Sequence, residues 1–156
     1  MSNTELRLQR LGLVLPVASN PAANYTNCVE SAGLLFVSGK APMAAPGQSP
    51  PKGKLGREFT TQEGYAFARS TGLDIIAVLK SELGDLDRVR RVVKLQAFIN
   101  ATEEFEEHPQ VLNGCSDLMV EVFENRGVHA RSALGAISLR GGLPIVIESI
   151  FEVAPR

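Results

Sequence analysis

The stretch TTQEGYAFARSTGLDIIAVLKSELG, residues 60–84, followed by VRRVVKLQAFINA, residues 89–101, decides the fold class. In the first piece Tyr65, Ala68, Gly72, Ile75, Ile76 and Leu79 recur at helical spacing. Thr60 or Thr61 can cap its start, with Glu63 placed three residues after Thr60 as in a capping box, and Gly84 closes it. The second piece is β-branched and reads as a strand. A long helix feeding a strand predicts a crossover unit in a mixed sheet, right-handed as such units are.

Working outward, NYTNCVES (24–31) and GLLFVSG (33–39) read as two strands joined by a tight turn near Ser31, Ala32 and Gly33. Between them and the helix, KAPMAAPGQSPPKGKLGREFT is rich in Pro and Gly and without period, which predicts a surface excursion over about 43–60. Downstream of a loop with His108 and Pro109, QVLNGCSDLMVEVFEN (110–125) places Val111, Leu118, Val122 and Cys115 on one stripe and predicts a second helix, ended by Asn125, Arg126 and Gly127. VHARSALGAISL (128–139) and PIVIESIF (144–151), joined by a Gly141–Gly142 turn, then read as a terminal strand pair. Residues 3–11 predict a short amphipathic helix with Leu6, Leu8 and Leu11 near one face.

The predicted order is β-β-α-β-α-β-β, a two-layer α+β domain with two long helices on one face of one mixed sheet, and residues 1–156 read as a single domain. The strands carry apolar residues of both parities: Leu35 and Val37 against Phe36, Val93 and Leu95 against Val92 and Phe98, Ile145 and Ile147 against Val146 and Ile150. Two helices cover one face only. Burial of the other face predicts a homo-oligomer.

Composition narrows the function classes. The 156 residues are 44% hydrophobic and 21% charged, with a net charge of −1. A chain of this length buries roughly 70% of its unfolded surface without a staple. The balanced charge and the absence of Trp argue against a nucleic-acid binder. No apolar run approaches a membrane span, the N-terminal segment has no signal-type core, and Cys28 and Cys115 have no CxxC spacing, so a cytoplasmic protein with reduced thiols is expected. His108 and His129 form no metal-ligand spacing, and no Walker-type loop occurs, so no metal or cofactor is expected. His129 and Ser132 are three apart and fall on opposite faces of a regular strand, which disfavours a Ser–His pair there. Arg88, Arg90, Arg91 and Lys94 read as a solvated strand edge or interface charge.

Two charges stand out because their segments are otherwise apolar: Arg131 and Glu148. A buried guanidinium requires a carboxylate. In a terminal hairpin 131 and 148 can be opposed on one face and form an internal ion pair. Alternatively Arg131 forks a ligand carboxylate while Glu148 handles a proton or a water.

The pattern Ala130, Arg131, Ser132 to Leu139, turn, Ile147, Glu148, together with GLLFVSGKAP (33–42), resembles the signature of the Rid family, also called YjgF and earlier L-PSP endoribonuclease or translation inhibitor. The likeness spans roughly 20–153 and is nearer the longer YjgF-like subgroup. The resemblance implies a chorismate-mutase-like fold, a homotrimer with ligand pockets between subunits, and hydrolytic deamination of 2-imino or enamine acids such as 2-aminoacrylate to 2-keto acids and ammonia, without a cofactor. It implies that Arg131 binds the substrate carboxylate and Glu148 positions or activates water, both catalytic, while Tyr25, Ser38, Gly39 and Asn113 line the pocket. Ala133 stands where the family often has Cys, leaving only its backbone N–H to act on substrate, and Arg140 stands where Pro is usual. The competing readings are a non-catalytic module that holds a keto acid, and the ribonuclease of the older names, against which the charge balance and the lack of a His–His or His–Lys pair argue.

Overall fold

The computed structural model describes residues 1–156. In chain order the elements are α1 (Asn3–Arg10), β1 (Cys28–Ser31), β2 (Leu34–Lys40), α2 (Thr61–Leu83), β3 (Val89–Asn100), α3 (His108–Phe123), β4 (Ala130–Ala136) and β5 (Ile145–Val153). The strands form one sheet in the order β1-β2-β5-β3-β4. β5 runs antiparallel to both β2 and β3, and β4 runs parallel to β3. The fold is the α+β mixed sheet that the hydrophobic periods predict.

One expectation is overturned. β4 and β5 are not a hairpin, because β5 inserts between β2 and β3 and leaves β4 at the far edge. The sequences explain the choice. IVIESIFEV buries every second residue and has β2 and β3 to pair its backbone on both sides. ARSALGA is small and mostly exposed, which suits an edge. Gly141 and Gly142 do take positive φ, but in a short turn within a connection that passes the end of β3, where the Asn100 N–H donates to the Pro144 carbonyl (2.9 Å).

The capping box at Thr60 and Glu63 forms, and Gly84 ends α2 at φ +74°. α3 begins two residues before the predicted start, with Pro109 in its first turn, where a missing N–H is harmless. α2 and α3 pack along small residues. A Cβ on Gly114 would sit 2.0 Å from the Tyr65 carbonyl oxygen, and one on Gly72 would sit 2.9 Å from Leu118 Cδ2. Beneath them Ile75, Leu79, Leu95, Leu118, Ile147 and Phe151 form the core.

Two further readings shift. In α1 the buried positions are Thr4 and Leu8, while Leu6 and Leu11 are exposed. The helix is held by Asp87, which accepts from the backbone N–H of Asn3 (2.8 Å) and Thr4 (2.9 Å) and from Thr4 Oγ1 (2.6 Å). Within the excursion residues 44–50 are exposed, but Leu55 is fully buried. It extends the sheet beyond β3, with its N–H on the Asn100 carbonyl (2.8 Å) and its own carbonyl accepting from Thr102 (3.1 Å).

Gly114→Ala is expected to destabilise the protein by about 3 kcal/mol or more in denaturant unfolding, because the clash is with backbone and cannot be relieved by a rotamer change. Burial by itself raises the Asp87 carboxyl, but the donors from Thr4 and Asn3, with Arg126 nearby, outweigh it and hold the group below the ordinary aspartate value. Its stabilisation is therefore complete above the unfolded value near 3.9 and is lost as pH falls through the lower folded one. Asp87→Asn is expected to cost about 1–2 kcal/mol at neutral pH, with the difference from wild type vanishing in strong acid.

Candidate functional site

The sequence-predicted site residues fall in three places. On the sheet face opposite the helices, Glu148 lies beside Gln96, its register partner on β3. A groove of about 240 Å³ there is lined by Val29, Phe36, Ser38, Lys94, Gln96 and Glu148. The Ser38 hydroxyl donates to the Thr26 carbonyl at 2.7 Å, which ties the end of β2 to the preceding loop.

Around the end of β2 a cleft of about 350 Å³ holds Tyr25, Gly39 and Arg140. Gly39 packs closely on β5, and a Cβ there would lie 2.8 Å from Val146 Cγ1 and have to displace that methyl. The Tyr25 hydroxyl accepts from the Ala22 N–H at 3.1 Å. The loop that carries Tyr25 is anchored by a buried polar network. Lys40 Nζ donates to Ser19 Oγ (3.1 Å) and Asn27 Oδ1 (2.5 Å). Ser19 in turn donates to Asp74 of α2 through its N–H (2.9 Å) and hydroxyl (2.6 Å). Lys40 and Asp74, both buried, thus oppose each other across one serine.

Arg131 lies elsewhere. Its partner on β3 is the fully buried Leu95, so it points to the helix side at the β4 edge. There Nη1 donates to Ser116 Oγ of α3 (3.0 Å) and Nη2 to the Pro109 carbonyl (3.3 Å). Glu148 is two strands away, about 10 Å by strand spacing, and on the opposite face. The internal ion pair permitted by a hairpin is therefore excluded by the sheet order, and none of the chain's ion pairs contains either residue. Asn113 is half-buried one turn before Ser116 on α3, and Ala133 is half-buried on β4, packed against the core.

Ser116 and His129 were not singled out as a pair by the sequence. His129 Nε2 is 2.9 Å from Ser116 Oγ, and Nδ1 is 2.6 Å from the Gly127 carbonyl. The available signal was the spacing of Pro109, Asn113 and Ser116, which puts them on one face of α3. A strand-based search pairs His129 only with β4 neighbours and misses a partner on another element.

A wider depression of about 610 Å³ lies between residues 56–61 and 102–107. Its rim carries Glu58, Glu104, Glu106 and Glu107, a field that repels a carboxylate ligand.

This mixed sheet with two helices on one face matches known proteins. Residues 5–140 match the family model described as "YjgF/chorismate_mutase-like, putative endoribonuclease". The chain belongs to the YjgF family, also called Rid. Protein TCP17 of Trypanosoma cruzi is 44% identical over 147 residues, covering 94% of this chain and 91% of that protein. The structure of Atu1372, a protein of unknown function from Agrobacterium tumefaciens, is 38% identical with a TM-score of 0.87, over 97% of this chain and 92% of that one. A "putative endoribonuclease" from Shewanella oneidensis is 31% identical with a TM-score of 0.91, over 97% of this chain and 100% of that one. The fold, at 17% identity and a TM-score of 0.62, extends to Escherichia coli TdcF, solved with bound serine, over 88% of this chain and 94% of that one.

In this YjgF-family chain neither thiol is placed for nucleophilic work. Burial pushes Cys28 up to about 11, with Glu82 adding to the shift, and pushes Cys115 up to about 12 against a small opposing effect of Arg131. No helix is long and apolar enough to cross a membrane. Both cysteines are expected to resist a thiol reagent at neutral pH in the native protein and to react fully in denaturant; fast native labelling of Cys115 would contradict its burial.

Proposed function

We propose that this protein hydrolyses small 2-imino acids of the 2-aminoacrylate type to 2-keto acids and ammonia, as a homotrimer. The observation that carries the reading is that Arg131 and Glu148 sit in two separate half-sites, and neither meets an opposite charge in its own chain. A half-buried guanidinium held only by neutral acceptors, Ser116 Oγ and the Pro109 carbonyl, keeps donors for a carboxylate. A carboxylate beside a groove that contains Ser38 can take a proton from water.

A second copy would bring the β4 edge of one chain against the β2–β5 face of the next and complete the pocket. The open sheet face supports this assembly, since Val29, Phe36 and Leu134 are exposed there, 42% in the case of Phe36. The pocket would then contain Arg131, Asn113 and Ala133 from one chain, and Tyr25, Ser38, Gly39 and Glu148 from the other.

The chemistry balances with these groups alone. Arg131 holds the carboxylate of the iminium form. Glu148 takes a proton as water adds to the imine carbon, giving a tetrahedral carbinolamine. Glu148 returns that proton to nitrogen and takes the carbinol hydroxyl proton as the C–N bond breaks, so the carbonyl forms, ammonia leaves and the last proton passes to it as ammonium. Holding substrate, base and water in register supplies the acceleration. Net charge of −1, and the engagement of His129 by Gly127 and Ser116, favour small-molecule chemistry over the ribonuclease in the family description.

The test is release of pyruvate from 2-aminoacrylate, generated in situ from serine by a dehydratase. The protein is expected to accelerate it. Arg131→Ala is expected to lose about a hundredfold or more in kcat/KM. Glu148→Gln is expected to lose about 10²–10⁴-fold in kcat while still binding a keto acid. Keto-acid binding without turnover in the wild type would replace the enzyme by a carboxylate-binding module. Sedimentation is expected to give three times the chain mass of 16.8 kDa.

A further inference from the structure

The hydrogen bonds around Arg131 have a direction. A carbonyl oxygen can only accept, so at 2.6 Å the Gly127 carbonyl fixes the His129 proton on Nδ1. In the neutral imidazole this leaves Nε2 an acceptor, and the Ser116 hydroxyl, 2.9 Å away, is the group that donates to it. With its proton turned to His129, Ser116 Oγ presents lone pairs only. Arg131 Nη1 donates to one of them at 3.0 Å. The polarity runs from the Arg131 N–H to Ser116, to His129, to the backbone of residue 127.

We infer that Ser116 and His129 are positioning residues that fix the Arg131 guanidinium in the orientation in which it receives a carboxylate. This inference rests on the reading of Arg131 as the carboxylate clamp.

Three features support it. The relay crosses elements: Ser116 is on α3, Arg131 on β4, and His129 immediately precedes β4. It therefore ties a flexible edge side chain to a helix that is itself fixed against α2 by the Gly114 contact. Arg131 Nη2 is held separately by the Pro109 carbonyl, one end of the same helix face. Two fixed points on a planar fork, with its covalent attachment through Nε as the third, define its plane, and that is what bidentate recognition requires. Lastly, β4 has no strand on its outer side within the chain, so the hydrogen bonds to α3 are what set the orientation from its own subunit.

A relay predicts that its two members act as one. In the full-length protein, Ser116→Ala and His129→Leu are each expected to weaken binding of 2-oxobutanoate, and to raise KM for the imine, by roughly tenfold, with kcat within about twofold. The double variant is expected to be no worse than either single one. Ser116→Thr keeps the hydroxyl, and His129→Gln places a carbonyl acceptor near the lost Nε2; both are expected to restore binding to within about threefold.

A ligand-independent measurement separates this inference from the function on which it rests. Nitrogen-15 relaxation of the Arg131 Nε–H is expected to show a rigid side chain in the wild type and a mobile one in Ser116→Ala and His129→Leu. Unchanged order in both variants overturns the relay, as does a double variant whose effects multiply to about a hundredfold. If Arg131→Ala leaves 2-oxobutanoate binding intact, the clamp reading falls, and with it the purpose assigned to the relay. If Arg131→Ala abolishes binding while Ser116→Ala and His129→Leu bind as wild type, only the relay is overturned.

Discussion

Everything in this structure depends on where β5 lies. A strand with β2 on one side and β3 on the other has its backbone donors and acceptors met along both edges. Its side chains then fall alternately into the helix-covered core, as Ile145, Ile147, Phe151 and Val153 do, and onto the open face, as Glu148 does. That insertion also pushes β4 out to the edge beside β3. Had β4 and β5 paired directly, Arg131 and Glu148 could have faced each other and neutralised each other. With β3 between them and opposite parity, they cannot.

The consequence is electrostatic. A charge in a protein interior needs a partner. Lys40 and Asp74 illustrate the rule met within the chain: both are buried, and Ser19 and Asn27 satisfy them while pinning the loop that carries Tyr25. Arg131, half-buried at the β4 edge, meets only neutral acceptors. Glu148 is exposed on the open face of the central strand, and each of the two retains hydrogen-bonding capacity. The network at Lys40 reads as structure, whereas Arg131 and Glu148 are left without a charged partner in the chain.

The helix layer determines how well the Arg131 half-site is defined. Gly114 lets α3 approach α2 until backbone meets backbone, which leaves little freedom for α3 to shift. Asn113 and Ser116 sit on the half-buried flank of that same helix. The small-residue seam therefore does more than fill space, because it sets the distance from Ser116 to the β4 edge.

The sequence by itself determined the element types and their order. Helical and strand periods are local, and so are the capping box at Thr60 and Glu63 and the stop at Gly84. It also made Arg131 and Glu148 conspicuous, because each interrupts an apolar run. Sheet order was decided only by the tertiary structure, since strand adjacency is set by which backbone edges can be satisfied at once, and chain neighbours such as β4 and β5 carry no record of that. The same reason hid the contact of His129 with Ser116, thirteen residues earlier on a helix. It also hid the burial of Leu55 within a Pro- and Gly-rich excursion, where a single apolar residue fills a gap beyond the end of β3. Periodicity is written along the chain, whereas contacts between elements exist only once the layers have packed.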